Sequence, residues 1–138
     1  MRGERHAVEA SASSGEPQAA VVGIVVTDAF EIFFDTLDTS RKAVNLRKSP
    51  SVAFVIGSTG AGAERTVQYA GTVDEPRGED LASLKRVYFG KFADGRERET
   101  LEGITYFRAR PAWLRYSDYG KNPPAIVELN AHDLAALR

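Results

Sequence analysis

The chain has no cysteine, one methionine, one tryptophan and only two histidines among its 138 residues. Without cysteine there can be no disulfide framework and no thiolate metal site. His6 and His132 stand near opposite ends of the sequence, so an imidazole-based metal centre would require distant segments to converge, and no metal is expected. No apolar run approaches the roughly 20 residues of a membrane helix. The opening Met1-Arg2-Gly3-Glu4-Arg5-His6 is too polar for a secretory leader, which predicts a cytoplasmic protein away from the membrane. Charge of one sign is also missing. The 18 Lys and Arg are interspersed with 19 Asp and Glu, net -1, so no basic stripe invites nucleic acid or an anionic lipid surface. Neither a Walker-type phosphate loop nor a dinucleotide fingerprint is present. The length suits one domain, 1–138, with a single sizeable core.

What is present is mostly strand. Residues 6–13 alternate, with Val8, Ala10 and Ala12 on one face, and Ser13 to Pro17 reads as a turn. Residues 19–26 are apolar on both faces, as in a core or at a subunit contact. Residues 30–35 place Phe30, Ile32 and Phe34 on one side and Glu31 and Asp35 on the other. A short helix over 40–48 ends before Ser49-Pro50. Strands follow at 52–57 and 65–73, separated by a small-residue loop over 58–63. Leu81, Leu84, Tyr88 and Phe92 then recur at helical spacing until Asp94-Gly95. A long strand over 104–117 is interrupted at Pro111, which suits a bulge or an edge. A strand over 125–129 and a helical turn over 132–137 complete the pattern. It predicts a mainly β domain, a small antiparallel barrel with inserted helices.

The run Thr36-Leu37-Asp38-Thr39-Ser40-Arg41-Lys42 leads from a strand into the first helix. It collects two hydroxyls, two adjacent cations and the unpaired amides of a helix start, a combination that suits a phosphate. Arg41 offers a planar fork and Lys42 a point charge. A solvated helix start is the competing reading, and Asp38 or Thr39 is the expected N-cap.

In its ordered segments the chain resembles the flavin-binding split barrels related to pyridoxamine phosphate oxidase. The resemblance rests on His6-Ala7-Val8 with Pro17 to Ala20; on Phe33-Phe34-Asp35-Thr36, Ser40-Arg41-Lys42, Asn45-Leu46 and Ser49 to Phe54; on Val67 to Val73; and on Tyr106-Phe107-Arg108 with Pro111, Trp113 and Tyr116. It implies an antiparallel split β-barrel that binds FMN. Arg41 and Lys42 would then grip the flavin phosphate, with Ser40 adding a hydroxyl and Thr36 and Asp35 lying beside the ring or its tail. Gln68 would reach towards the flavin. The backbone at Val22, Gly23 and Ile24 would approach the ring edge, with Gly23 making room for a flat ring. The resemblance further implies a homodimer with the cofactor at the subunit interface, where Tyr88, Trp113 or Tyr116 would reach across.

One departure is notable. The family's oxidase carries a C-terminal segment rich in Arg, His and Trp for its substrate phosphate, whereas here Pro123-Pro124 lead into Ala125 to Leu129 without an Arg-x-His element. The expectation is therefore an FMN-dependent oxidoreductase acting on some other small molecule, not an authentic pyridoxamine phosphate oxidase. Two alternatives remain open. One is a reductase of the same fold using the deazaflavin coenzyme, for whose tail Arg47 and Lys48 are available. The other is a non-catalytic flavin- or haem-binding protein, with His6 the candidate axial ligand.

Overall fold

A computed structural model describes residues 1–57 and 64–137. The loop expected over 58–63 lies outside the described residues. In chain order the elements are β1 (His6–Ser13), β2 (Glu16–Gly23), β3 (Val25–Val26), β4 (Ile32–Leu37), α1 (Arg41–Lys48), β5 (Ser51–Gly57), β6 (Arg65–Asp74), α2 (Gly78–Lys91), α3 (Gly95–Glu99), β7 (Ile104–Asp118), β8 (Ala125–Leu129) and α4 (Ala131–Ala136).

The strands form one antiparallel sheet in the order β2-β1-β5-β6-β7-β4-β3, with β8 also on β7. The two ends of that path, β2 and β3, are separated in the chain by Ile24 alone, so the backbone itself joins the sheet's edges and curls it into a barrel. Ile24 is fully buried and its N–H donates to the Arg5 carbonyl at 2.9 Å. β7 creates the split. β6 pairs with it from Arg108 to Asp118, while on its other side β4 pairs with Ile104 to Ala109 and β8 with Leu114 to Asp118. The expected irregularity at Pro111 is a bulge: the register passes from Ala70↔Trp113 to Gly71↔Pro111 and leaves Ala112 unpaired. Proline lacks the N–H a regular ladder would need there. Gly71 is required opposite, because a side chain would collide with the Arg110 carbonyl oxygen.

Inside the barrel, Phe34, Phe54, Tyr69 and Phe107 form an aromatic centre with Ile32, Ile56, Leu46 and Val22. A second cluster lies outside, where the predicted stripe of α2 packs Leu84 and Tyr88, followed by Phe92, over Phe33, Val25 and Tyr106. Phe33 stacks on Tyr106 at 5.5 Å and meets Tyr88 edge-on at 5.6 Å.

In β1 the alternating residues Val8, Ala10 and Ala12 share one face, and that face is the outer one. On the other face the strand buries Ala7, Glu9 and Ser11. Polarity at the mouth explains the choice of face. α1 lies over this end of the barrel, and the Asn45 amide donates to the Ser11 hydroxyl at 3.5 Å. The outward face is left apolar: Val8 stands between Val21 and Val55 in register, and Ala10 between Ala19 and Ala53. Val8, Val21 and Val55 are 40%, 68% and 47% exposed. Among the described residues no helix is long and apolar enough to cross a membrane.

Candidate functional site

The corner at the start of α1 forms as a unit. Alternation along β4 puts Thr36 on the same side as the interior residues Ile32 and Phe34. The turn into the helix is tied by Asp38 N–H to the Gly103 carbonyl (2.7 Å) and Ser40 N–H to the Leu37 carbonyl (3.0 Å). Ser40, and neither Asp38 nor Thr39, is the N-cap: its extended backbone lets its hydroxyl accept from the Ala43 N–H at 3.2 Å. That hydroxyl also lies 2.9 Å from the Thr36 hydroxyl, to which the Lys42 ammonium donates at 3.4 Å. The Val44 N–H is taken by the Ser40 carbonyl, so the amides of Arg41 and Lys42 are the ones at this terminus without an intrahelical acceptor. Arg41 is exposed and has no partner among the described residues. The first turn carries no acidic residue. Two free amides, two hydroxyls and two cations thus converge without a carboxylate in that turn, an arrangement that selects an anion with several oxygens.

Other residues expected at the site lie elsewhere. Asp35 precedes Thr36 but faces the outer side, where Tyr88 OH donates to one carboxylate oxygen at 3.0 Å and Arg98 Nε to the other at 3.0 Å. Arg98 also donates to the Tyr88 hydroxyl at 3.2 Å. Burial, reinforced by the Asp35 charge, holds the Tyr88 phenol above its ordinary range. Asp35 therefore clamps α2 and α3 to the barrel. Asp35→Ala is expected to cost about 2–3 kcal/mol, somewhat under a fully buried pair because the Arg98 side chain is 30% exposed; a thermal melt measures it. Gly23 does make room for a flat ring, but the ring is Phe92, whose Cζ would lie 3.1 Å from an added Cβ. Val22 and Ile24 turn their side chains into the core. Gln68 is exposed on the outward face, in register with Val55 and Arg115, in the row that contains Val8 and Val21. His6 packs edge-on against Phe92 at 6.1 Å. It lies five residues along β1 from Ser11, roughly 16 Å from the α1 contact at the usual strand rise. The fork of Arg47 is committed to Glu75, at 2.8 and 3.2 Å, and to Thr105, at 3.3 Å.

Sequence reading passed over Glu9. It is completely buried on the inner face of β1, and neither carboxylate oxygen has a hydrogen-bond partner among the described residues. The signal was available: a carboxylate three residues into a strand of otherwise small or apolar residues. Burial raises its carboxyl above the ordinary value, opposed by the nearby Ser11 hydroxyl and the charge of Lys42. A native pKa above the unfolded one removes stability as pH climbs from the unfolded to the native value. Glu9→Gln should therefore raise the melting temperature near neutral pH and change it little below about pH 4. Paired melts at the two pH values check this.

An apolar cleft of about 220 Å³ beside β8 is lined by Phe30, Val67, Leu114, Tyr116, Val127 and Leu129, with Met1. No lysine or arginine is among its described lining residues, unlike the corner at α1.

The sequence matches the family model described as pyridoxamine 5'-phosphate oxidase over residues 2–118. A comparison with curated proteins finds no match. Among solved structures, the chain is similar to a heme binding protein from Mycobacterium smegmatis, with TM-score 0.81 and 18% identity over 96% of this chain and 55% of that one. It is similar to HutZ, the heme storage protein from Vibrio cholerae, with TM-score 0.70 and 15% identity over 78% and 82%. A pyridoxamine 5'-phosphate oxidase-related, FMN binding protein from Nostoc punctiforme gives TM-score 0.73 and 12% identity over 91% and 80%. These likenesses establish the antiparallel split-barrel fold. The chain spans little more than half the length of the mycobacterial protein.

Proposed function

The chain belongs to the pyridoxamine 5'-phosphate oxidase family, and from that premise we propose that it binds FMN as a homodimer and serves as an oxidoreductase for a small molecule. The observation that carries this reading is the corner of Thr36, Ser40, Arg41 and Lys42, whose free amides, hydroxyls and cations suit a terminal phosphate. FMN, when bound, supplies electron or hydride transfer through its ring. The protein's own part is placement. Ser40, Thr36 and the free amides of Arg41 and Lys42 would hold the phosphate oxygens, with the exposed Arg41 side chain supplying charge from the solvent side.

The second copy has a natural seat. The outward rows Val21-Val8-Val55 and Ala19-Ala10-Ala53 form an apolar face whose three valines are exposed. A self-complementary contact between two such faces would hide that surface. Gln68 continues the first row, so its approach to a cofactor would be made at this interface and not within its own corner. FMN is favoured over the longer-tailed deazaflavin coenzyme because Arg47, one of the two cations available for that tail, is already held by Glu75.

The test is the visible absorption spectrum of the purified protein, repeated after FMN is added and the excess removed. Oxidised-flavin bands that survive desalting support the reading. A sharp haem band would replace it with the haem-binding alternative, and a colourless protein after FMN loading would withdraw it. Turnover with a nicotinamide reductant and an electron acceptor then tests the oxidoreductase step.

A further inference from the structure

Glu9 is a fully buried carboxyl with neither oxygen hydrogen-bonded among the described residues. A buried carboxylate without a partner is costly, and native structures seldom keep one without a use. Its surroundings locate that use. On the inner face of the sheet, Glu9 lies between Ala20 of β2 and Phe54 of β5. One row nearer the mouth stand Ser11 and its register partner Gln18, whose amide oxygen is also buried without a partner. α1 covers this end through Asn45, which donates to Ser11. The elements packed on β1 are β2, β5 and α1. Among the described residues the charged group acting on Glu9 from them is Lys42, whose ammonium forms part of the phosphate corner.

The helix that meets β1 through Asn45 and Ser11 thus also carries, one turn earlier, the lysine of the anion corner. We infer that Glu9 is a positioning residue for the anion site, a buried counter-charge that competes with the bound phosphate for Lys42, so that anion binding is linked to uptake of a proton by Glu9. The inference rests on the phosphate reading of the corner. With the corner empty, Lys42 helps Glu9 to ionise. When an anion engages Lys42, that help is reduced and a second negative charge is added nearby, so the carboxylate takes a proton from solvent and becomes neutral. By linkage the reverse holds equally: an ionised Glu9 weakens the anion, and a neutral one leaves the full charge of Lys42 to it.

The experiment measures affinity for FMN and for inorganic sulfate, whose charge is constant over the range, from about pH 5 to about pH 8. It is done in the unaltered protein and in Glu9→Gln. At the acid end the two proteins should bind alike. Towards the alkaline end the unaltered protein should fall behind by about tenfold, the factor equivalent to one pK unit of coupling. The phosphate of FMN titrates in the same range, but equally for both proteins, so the ratio isolates Glu9. Calorimetry of the unaltered protein with sulfate, which exchanges no proton of its own, in two buffers of different ionisation heat counts the proton taken up and needs no variant. A purely structural Glu9 would alter the melting temperature and leave the proton count at zero.

Equal pH profiles for the two proteins, or no proton uptake, would overturn the inference even if FMN binds tightly. Sulfate binding with the predicted pH ratio but no FMN binding would uphold it and remove the FMN reading. Failure of both ligands to bind would remove both.

Discussion

Replacing Arg41 and Lys42 together by alanine is expected to weaken FMN binding by roughly a hundredfold or more while the protein keeps its fold. Both halves of that expectation follow from the corner. Arg41 is exposed and without a partner, and Lys42 makes a single long hydrogen bond, 3.4 Å to Thr36. Neither is part of either hydrophobic cluster, which at this helix take Ala43 and Leu46. The Ser40 cap bonds the Ala43 amide, which the substitutions leave in place. Alanine is also the better helix former at both positions. The loss therefore falls on the ligand. A hydrogen bond to a charged group is worth about 1.5–3 kcal/mol, and two such contacts amount to roughly a hundredfold even at the lower figure. Riboflavin, which lacks the phosphate, serves as the control: its weaker binding should be indifferent to the change. Fluorescence titration of both flavins, with a circular-dichroism melt, measures affinity and fold separately. An FMN affinity that survives the double substitution would remove the phosphate from this corner.

How far the sequence could be read depended on whether a residue's neighbours in the chain decided its position. α1 was legible because Ser49-Pro50 stops it and the hydroxyl and cation run starts it, all within one turn at each end. α2 was legible because Leu84, Tyr88 and Phe92 repeat at helical spacing. The bulge could be anticipated at Pro111 because the missing N–H is a property of that one residue. β1 could not be oriented in this way. Its alternation puts Val8, Ala10 and Ala12 on one face without saying which face is inside; that depends on α1, arriving 34 residues later with Asn45 to meet Ser11. A shift of one residue in that judgement exchanges every side chain between inside and outside. Asp35 shows the same dependence on distant partners on a smaller scale. It adjoins Thr36 in sequence, but alternation sends it to the opposite face, and the Arg98 that holds it lies 63 residues away, in α3. Gly23 was read as clearance for a ring, and only the packing of α2 and the residue after it shows that Phe92 occupies the space.

The outward face of β1 leads to the second large effect. Val8→Glu is expected to convert the proposed dimer into a monomer. Val8 is 40% exposed and stands at the centre of its apolar row, with Val21 and Val55 on either side, so a longer polar side chain can be carried by the isolated barrel without disturbing its interior. In a two-fold contact the same substitution appears twice, and each copy would bury a carboxylate against an apolar surface. Each such burial without a partner costs several kcal/mol, so dimerisation should weaken by roughly a thousandfold or more. Sedimentation velocity across a concentration series reads this directly. If the unaltered protein is already monomeric at high concentration, the face has another occupant and the homodimer is lost. The flavin then provides a second, independent reading. A cofactor held between subunits should leave with the dimer, so FMN affinity in Val8→Glu should fall although Arg41, Lys42, Thr36 and Ser40 are untouched. A monomeric variant that keeps full FMN affinity would mean that one protomer's corner holds the cofactor unaided, and that the contribution expected of Gln68 from the shared face is not made.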